Sequence, residues 1–281
     1  MIIDFHTHIF PRFFRDNRED YFAGESAFRL LYESPKSRLA GREQLLKSMD
    51  AEGVHRSVIF GFPWTHSDHF RRHNDYILET VEKYPDRFTG FCCFDPLSPE
   101  APVEAERCLK EGLSGIGELA LYNEGLSKSH IAGLKHIMIL AREHDVPVML
   151  HTNEPVGHQY PGKTPMTLKQ IYDFLQAYPL NRIVLAHWGG GIFFYALMKK
   201  EVREVLQDVW FDTAASPFLY APEIYRTVGT ILGYEKILFG TDYPLLSPGR
   251  YFQEMEGVGL PSEDMKAITG GNAASLLGLS M

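Results

Sequence analysis

Eight short apolar runs of strand character alternate with helical segments along the chain, and the run that opens it is followed by a long aperiodic stretch. These two observations predict an α/β protein, a (β/α)₈ TIM barrel with a long insertion after strand 1. Size agrees. A length of 281 residues suits one barrel unit spanning 1–281, and 44% hydrophobic residues supply a sizeable core.

In chain order, strand 1 covers 2–5 within IIDFHTHIF. Alternation would point Asp4, His6 and His8 one way and Ile3 and Phe5 towards the surrounding helices. Residues 9–41 then lack βα periodicity but are rich in aromatics and arginines, including Phe13, Phe14, Arg12, Arg15 and Arg18. A loop leaving strand 1 emerges at the catalytic end of a barrel, so this one is expected to act as a lid or to touch substrate. A helix at 42–52 leads to strand 2 at 57–61, and a helix at 74–84 ends at Tyr84-Pro85, where the residue before proline leaves the α region. Strand 3 at 88–94 carries Cys92 and Cys93, adjacent and therefore on opposite faces, expected to be reduced core thiols. Ser98-Pro99-Glu100 opens a helix at 100–111. Strand 4 at 115–118 ends on Glu118, a helix fits 130–144, and strand 5 at 147–151 ends on His151. The helix at 167–178 stops at Tyr178-Pro179, and strand 6 at 183–187 ends on His187. A helix at 191–206, strand 7 at 210–212, a helix at 222–232, strand 8 at 237–240 and a closing helix at 262–277 complete the pattern.

Composition narrows the functional classes. A formal charge of -8 argues against nucleic acid, whose phosphates need a basic face, but allows a small anionic substrate met by a local arginine cluster. No apolar run is long enough to span a bilayer and no leader pattern opens the chain, so no membrane partner and a cytoplasmic location are expected. A homodimer stays open.

The chemistry concentrates at strand ends. His6, His8, His151, His187 and Asp242 each close an apolar strand, and in a barrel those C-terminal ends surround one point. Three imidazoles and a carboxylate from His6, His8, His151 and Asp242 suit Zn²⁺, with Fe²⁺, Mn²⁺ or Co²⁺ as alternatives. Asp242 is expected to ligate and to handle a proton, and His187 to act as catalyst. Glu118 and His187 are further candidate ligands, through which a second metal stays open. Arg12, Arg15, Trp64, Tyr160 and Trp188 are candidate substrate contacts, the arginines for a carboxylate and the aromatics for a ring. His130, His136 and His144 read as surface or capping residues.

DFHTH, LHTN, LAHWGG and FGTDYP, in this order, resemble the amidohydrolase superfamily, in its amidohydrolase-related (amidohydrolase 2) branch, and GGNAASLLGL is similar to that branch's closing helix. The resemblance spans essentially the whole chain. It implies a divalent metal, usually zinc, held by His6, His8, His151 and Asp242, with His187 catalytic in mononuclear members. Glu118 stands where many binuclear relatives carry a lysine, which departs from their pattern. The branch includes hydrolases and non-oxidative decarboxylases similar to aminocarboxymuconate semialdehyde decarboxylase. The main expectation is a metal-dependent hydrolase that cleaves an amide, ester or lactone with metal-activated water. The alternative is a decarboxylase of an aromatic or unsaturated carboxylic acid, and the minor alternative a non-catalytic metal-binding scaffold.

Overall fold

A computed structural model describes residues 1–280. The eight strands are β1 (Ile3–His8), β2 (Arg56–Phe60), β3 (Phe88–Gly90), β4 (Ile116–Leu119), β5 (Val148–Leu150), β6 (Ile183–Leu185), β7 (Val209–Asp212) and β8 (Ile237–Leu238). All pair in parallel, β1 to β3 in one run and β4 to β8 in another. Bridges Cys92–Ile116 and Thr7–Tyr243 join the two runs at both seams, so the sheet closes into the expected (β/α)₈ barrel. The second seam carries real hydrogen bonds: Phe5 N–H donates to Phe239 O at 2.7 Å and Asp242 N–H to His6 O at 2.9 Å.

Two apolar layers follow from the pleat. Ile3, Phe5, Val58, Phe60, Phe91, Cys93, Met149, Val184 and Leu238 pack together inside the barrel, capped by Ala273, Ala274 and Leu276 of the closing helix. Phe5 meets Phe91 edge-on at 5.7 Å, a contact between strands that are not neighbours, which places both rings in the interior. Cys92 belongs to the outer layer and Cys93 to the inner one, and both are free, buried thiols.

Strand 1 corrects the simple alternation. Ile3 and Phe5 face inward, not towards the helices, and His6 faces inward as well. The cause is a bulge: between the pairs Asp4–Ser57 and Thr7–Ile59 the register shifts, so one extra residue re-aims the end of the strand. Asp4 is left beside β8, where its carboxylate accepts from Thr241 Oγ1 at 2.6 Å and Thr241 N–H at 3.0 Å.

Helices begin and end for local reasons. Thr167 and Gln170 exchange side-chain and backbone hydrogen bonds around the start of Leu168–Ala177, and both Tyr84 and Tyr178 end their helices before proline. The segment expected as one helix over 130–144 divides at Leu134 into Lys128–Gly133 and Lys135–Glu143. In place of the expected 191–206 helix, a left-handed turn over 187–191 leads into a short 3₁₀ stretch that ends at Leu197, followed by the helix Lys200–Val205. The closing helix contains one π turn, Ala267–Gly271, and Asn272 Nδ2–H donates to the carbonyls of Tyr234 and Ile237.

The insertion is a packed, aromatic excursion. Phe14 stacks on Trp64 at 4.4 Å and Phe28 lies 4.3 Å from it. Buried Glu25 reaches across to the start of the helix Ser67–Lys83, accepting from Thr65 N–H at 2.8 Å, His66 N–H at 3.0 Å and His69 Nδ1–H at 2.8 Å. A carboxylate there satisfies free amides and the helix dipole together. Among the described residues, no helix is long and apolar enough to cross a membrane.

Candidate metal centre and active site

The strand ends bring His8, Glu118, His151, His187 and Asp242 to the lining of one cavity of about 910 Å³, with His6 fully buried against them. Asp242 Oδ1 lies 3.6 Å from His6 Nε2 and 3.4 Å from His8 Nε2. Glu118 sits among the histidines: one oxygen is 3.7 Å from the Nε2 atoms of both His6 and His8, and the other is 2.9 Å from His151 Nδ1 and 3.5 Å from His187 Nε2. Strand order alone makes Glu118 an additional candidate, whereas geometry puts it between the first histidine pair and His151.

The outer partners fix which nitrogen of each ring faces the centre. His6 Nδ1–H donates to Asp212 Oδ2 at 2.8 Å, His8 Nδ1–H to Gly61 O at 2.9 Å, and His187 Nδ1–H to Ala214 O at 2.9 Å. These acceptors take the Nδ1 proton, so Nε2 is the nitrogen that each ring turns inward. His151 is reversed. Its Nε2–H donates to Gly162 O at 2.9 Å, and Nδ1 faces Glu118.

Charge is the second constraint. Burial alone would push His6 down, but the charges of Asp212 and Glu118 and the Asp212 hydrogen bond outweigh it and raise the imidazole to about 10. Burial likewise lowers His187, and the hydrogen bond and charge of Glu118 raise it to about 9. Burial would raise both carboxyls. Instead the charges of His151 and His6 hold Glu118 well below its usual range, and the His8 hydrogen bond with the His6 charge holds Asp242 at about 2. The cluster therefore calls for positive charge.

A divalent cation fits that demand. His6 Nε2 is fully buried without a hydrogen-bond partner, and an orphaned nitrogen at the meeting point of two carboxylates has the surroundings of a metal ligand. The compact donor groups are His6 with His8 and Glu118, His6 with His187 and Asp242, and Glu118 with His151 and His187. They overlap through shared members.

The expected substrate contacts fare unevenly. Tyr160 lines the cavity. Arg12 is exposed and pairs with Asp16 at 2.8 Å, while Arg15 donates to Phe10 O and to Gln44 Oε1 of the helix that follows the insertion. Neither lines the cavity, because short helical turns commit these arginines to neighbouring groups. Trp64 and Trp188 are fully buried and donate to His73 Nδ1 and Ser216 Oγ, both at 2.9 Å. They are packing residues. The insertion instead reaches the cavity through its second half, with Tyr32, Lys36 and Arg38. Asp212 joins the site without having been expected there, although it ends an apolar strand as the other site residues do.

Residues 3–279 match the sequence pattern of the family described as Amidohydrolase. The chain belongs to the amidohydrolase family. Among curated amidohydrolase relatives, the gamma-resorcylate decarboxylase of Polaromonas sp. (strain JS666 / ATCC BAA-500) is 26% identical over 257 residues, covering 75% of this chain and 76% of the relative. That of Rhodococcus jostii (strain RHA1) is 25% identical over 256 residues, covering 74% and 76%. The fold matches 5-carboxyvanillate decarboxylase from Sphingomonas paucimobilis with a TM-score of 0.75 and 17% identity over 99% of both chains. It also matches dihydroxybenzoic acid decarboxylase from Polaromonas sp. JS666, solved with manganese and 2-nitroresorcinol, with a TM-score of 0.70 and 18% identity over 99% of this chain and 96% of that one.

Proposed function

We propose that this amidohydrolase is a divalent-metal-dependent, non-oxidative decarboxylase of an aromatic carboxylic acid. The observation that carries the reading is that both curated relatives, aligned over about three quarters of the chain, are gamma-resorcylate decarboxylases. The cavity agrees in character, since Phe62, Tyr122 and Tyr160 give it an aromatic wall and the exposed cations Lys36 and Arg38 stand at its rim. Decarboxylation thus displaces the hydrolysis expected from the sequence as the leading reading.

His6, His8, His151 and Asp242, with Glu118 among them, would hold one ion, the overlapping donor groups offering no separate second set. We favour Mn²⁺ over Zn²⁺, because mixed imidazole and carboxylate donors suit it and the dihydroxybenzoic acid decarboxylase structure holds manganese. When bound, the cation supplies Lewis acidity that anchors and polarises substrate oxygens.

The chain's own residues carry the proton. Asp242 is 21% exposed, open to the cavity, and ionised at rest. It first takes a proton, from a substrate hydroxyl or from water, and delivers it to the ring carbon that bears the carboxylate. A C–H bond forms there, the C–C bond to the carboxylate breaks, its electron pair returns to the ring, and CO₂ departs. His187, locked through Ala214, turns Nε2 to the same space and orients the acid.

The test is incubation of Mn²⁺-loaded protein with hydroxylated aromatic acids in D₂O. One deuterium at the ring carbon that carried the carboxylate is expected, with stoichiometric CO₂, and Asp242→Asn should lower the rate by roughly 10²–10⁴-fold. Cleavage of lactones or amides with incorporation of solvent oxygen, and no CO₂ from any acid, would instead establish hydrolysis.

A further inference from the structure

The segment between β5 and the helix Leu168–Ala177 is one wall of the cavity, contributing Glu154, His158, Tyr160 and Gly162 among others. Its neck is closed by a side chain. Asn153 Oδ1 accepts from Thr164 N–H and Thr164 Oγ1, both at 2.8 Å, and Asn153 Nδ2–H returns a bond to Thr164 O at 3.3 Å. Inside the loop lies Lys163, whose side chain is only 4% exposed. Its ammonium donates to Glu154 Oε1 at 2.9 Å, to His158 O at 3.4 Å and to Val156 O. Glu154 Oε2 in turn accepts from Tyr160 O–H at 2.8 Å. The peptide preceding this lysine carries the Gly162 carbonyl that receives His151 Nε2–H.

We propose that Lys163 is a positioning residue. It acts through the Gly162 carbonyl to orient the His151 ring, and through Glu154 to hold Tyr160 in the cavity wall. The physical reason is the cost of a buried ammonium: three oxygens of one loop compensate it, and all three converge only when the loop is folded inward. Remove the cation and the Glu154 carboxylate and two carbonyls lose their shared donor, so the loop gains by opening to water. Gly162 O then leaves His151, and the ring is free to turn Nδ1 away from Glu118. The inference rests on the reading of His151 as a metal ligand.

Mn²⁺ binding, which needs no substrate, provides the first test. Mn²⁺ affinity of Lys163→Met should fall about tenfold to a hundredfold, as for other outer partners of metal-binding histidines, with recovery in Lys163→Arg. With a decarboxylated acid in hand, KM should rise more than kcat falls. Folded Lys163→Met with parental Mn²⁺ affinity overturns the proposal. If Lys163→Met does not fold, Glu154→Gln receives the same measurements. It should lower Mn²⁺ affinity likewise, and a parental value there overturns the proposal equally. Failure of every acid to be decarboxylated would remove the functional reading alone, since Mn²⁺ binding needs no substrate. Full Mn²⁺ retention in His151→Ala would remove the ligand reading.

Discussion

Trp64 decides the protonation of His73. An indole N–H can only donate, so the His73 Nδ1 it meets at 2.9 Å must accept, and His73 Nε2–H must donate to Ile9 O at 2.7 Å. A second proton has nowhere to go, and burial pushes this imidazole down to about 3 although the Ile9 carbonyl favours the charged form. An unfolded histidine titrates near 6.5, so between about 6.5 and 3 the unfolded chain binds the extra proton. The contribution to stability is complete above that window and is lost as pH falls through it. Urea unfolding at a series of pH values should show this decline, and His73→Phe should flatten it while costing roughly 2–4 kcal/mol at pH 8 for the stranded Trp64 N–H and Ile9 carbonyl. Identical pH slopes in the two proteins would refute the assignment. The example also marks what single residues reveal in a sequence. Ligand-type side chains at the ends of apolar strands are legible, but the direction of Arg12, Arg15, Trp64 and Trp188 is not. That direction depends on neighbours such as Asp16, Gln44, His73 and Ser216, which no local pattern specifies.

Elements are legible where periodicity or proline speaks and obscure where the backbone turns left-handed. All eight strands are readable because apolar runs bounded by proline and polar loops have one economical arrangement. The segment after β6 misleads because its mixed apolar and polar spacing over 191–206 suggests one helix. His187, Trp188, Gly189, Gly190 and Gly191 instead take φ values of 54, 60, 62, 63 and 95° in succession. Such a turn swings the His187 backbone onto Asp212, whose Oδ1 accepts its N–H at 2.9 Å. Gly190 is the tightest point, since a Cβ there would lie 2.3 Å from the Asn153 carbonyl oxygen, a backbone atom that cannot rotate away. At Gly157, where φ is 84°, an added Cβ would meet no atom within 4 Å. Gly157→Ala should therefore cost about 1 kcal/mol of backbone strain, and Gly190→Ala at least ~2 kcal/mol more from the clash. Thermal melts of the two variants compare them directly, and equal losses would mean that the left-handed turn can relax around Asn153.

At the scale of the molecule, the site is a ring of strand ends and its charge is a property of the whole barrel. β1, β4, β5, β6 and β8 converge their donors on one point, and β7 supplies Asp212 behind His6. The closing seam depends on the same chain segments, because Asp4 ties the strand bearing His6 and His8 to Thr241, the residue before Asp242. A cation that offsets Glu118 and Asp242 thus stabilises the first and last strands together. A ligand bound only by the folded state contributes RT ln(1 + [L]/Kd), about 2.7 kcal/mol at a hundredfold excess over Kd. For a chain of this size that corresponds to a rise in Tm of roughly 5–10 °C. Chelator-treated protein should melt lower by that amount and recover on addition of Mn²⁺. Asp242→Ala should show a smaller response, because one carboxylate of the cluster is gone while Glu118 remains. Equal Mn²⁺ shifts in Asp242→Ala and the parent would place the ion elsewhere and separate the stability of the barrel from the cluster at its mouth.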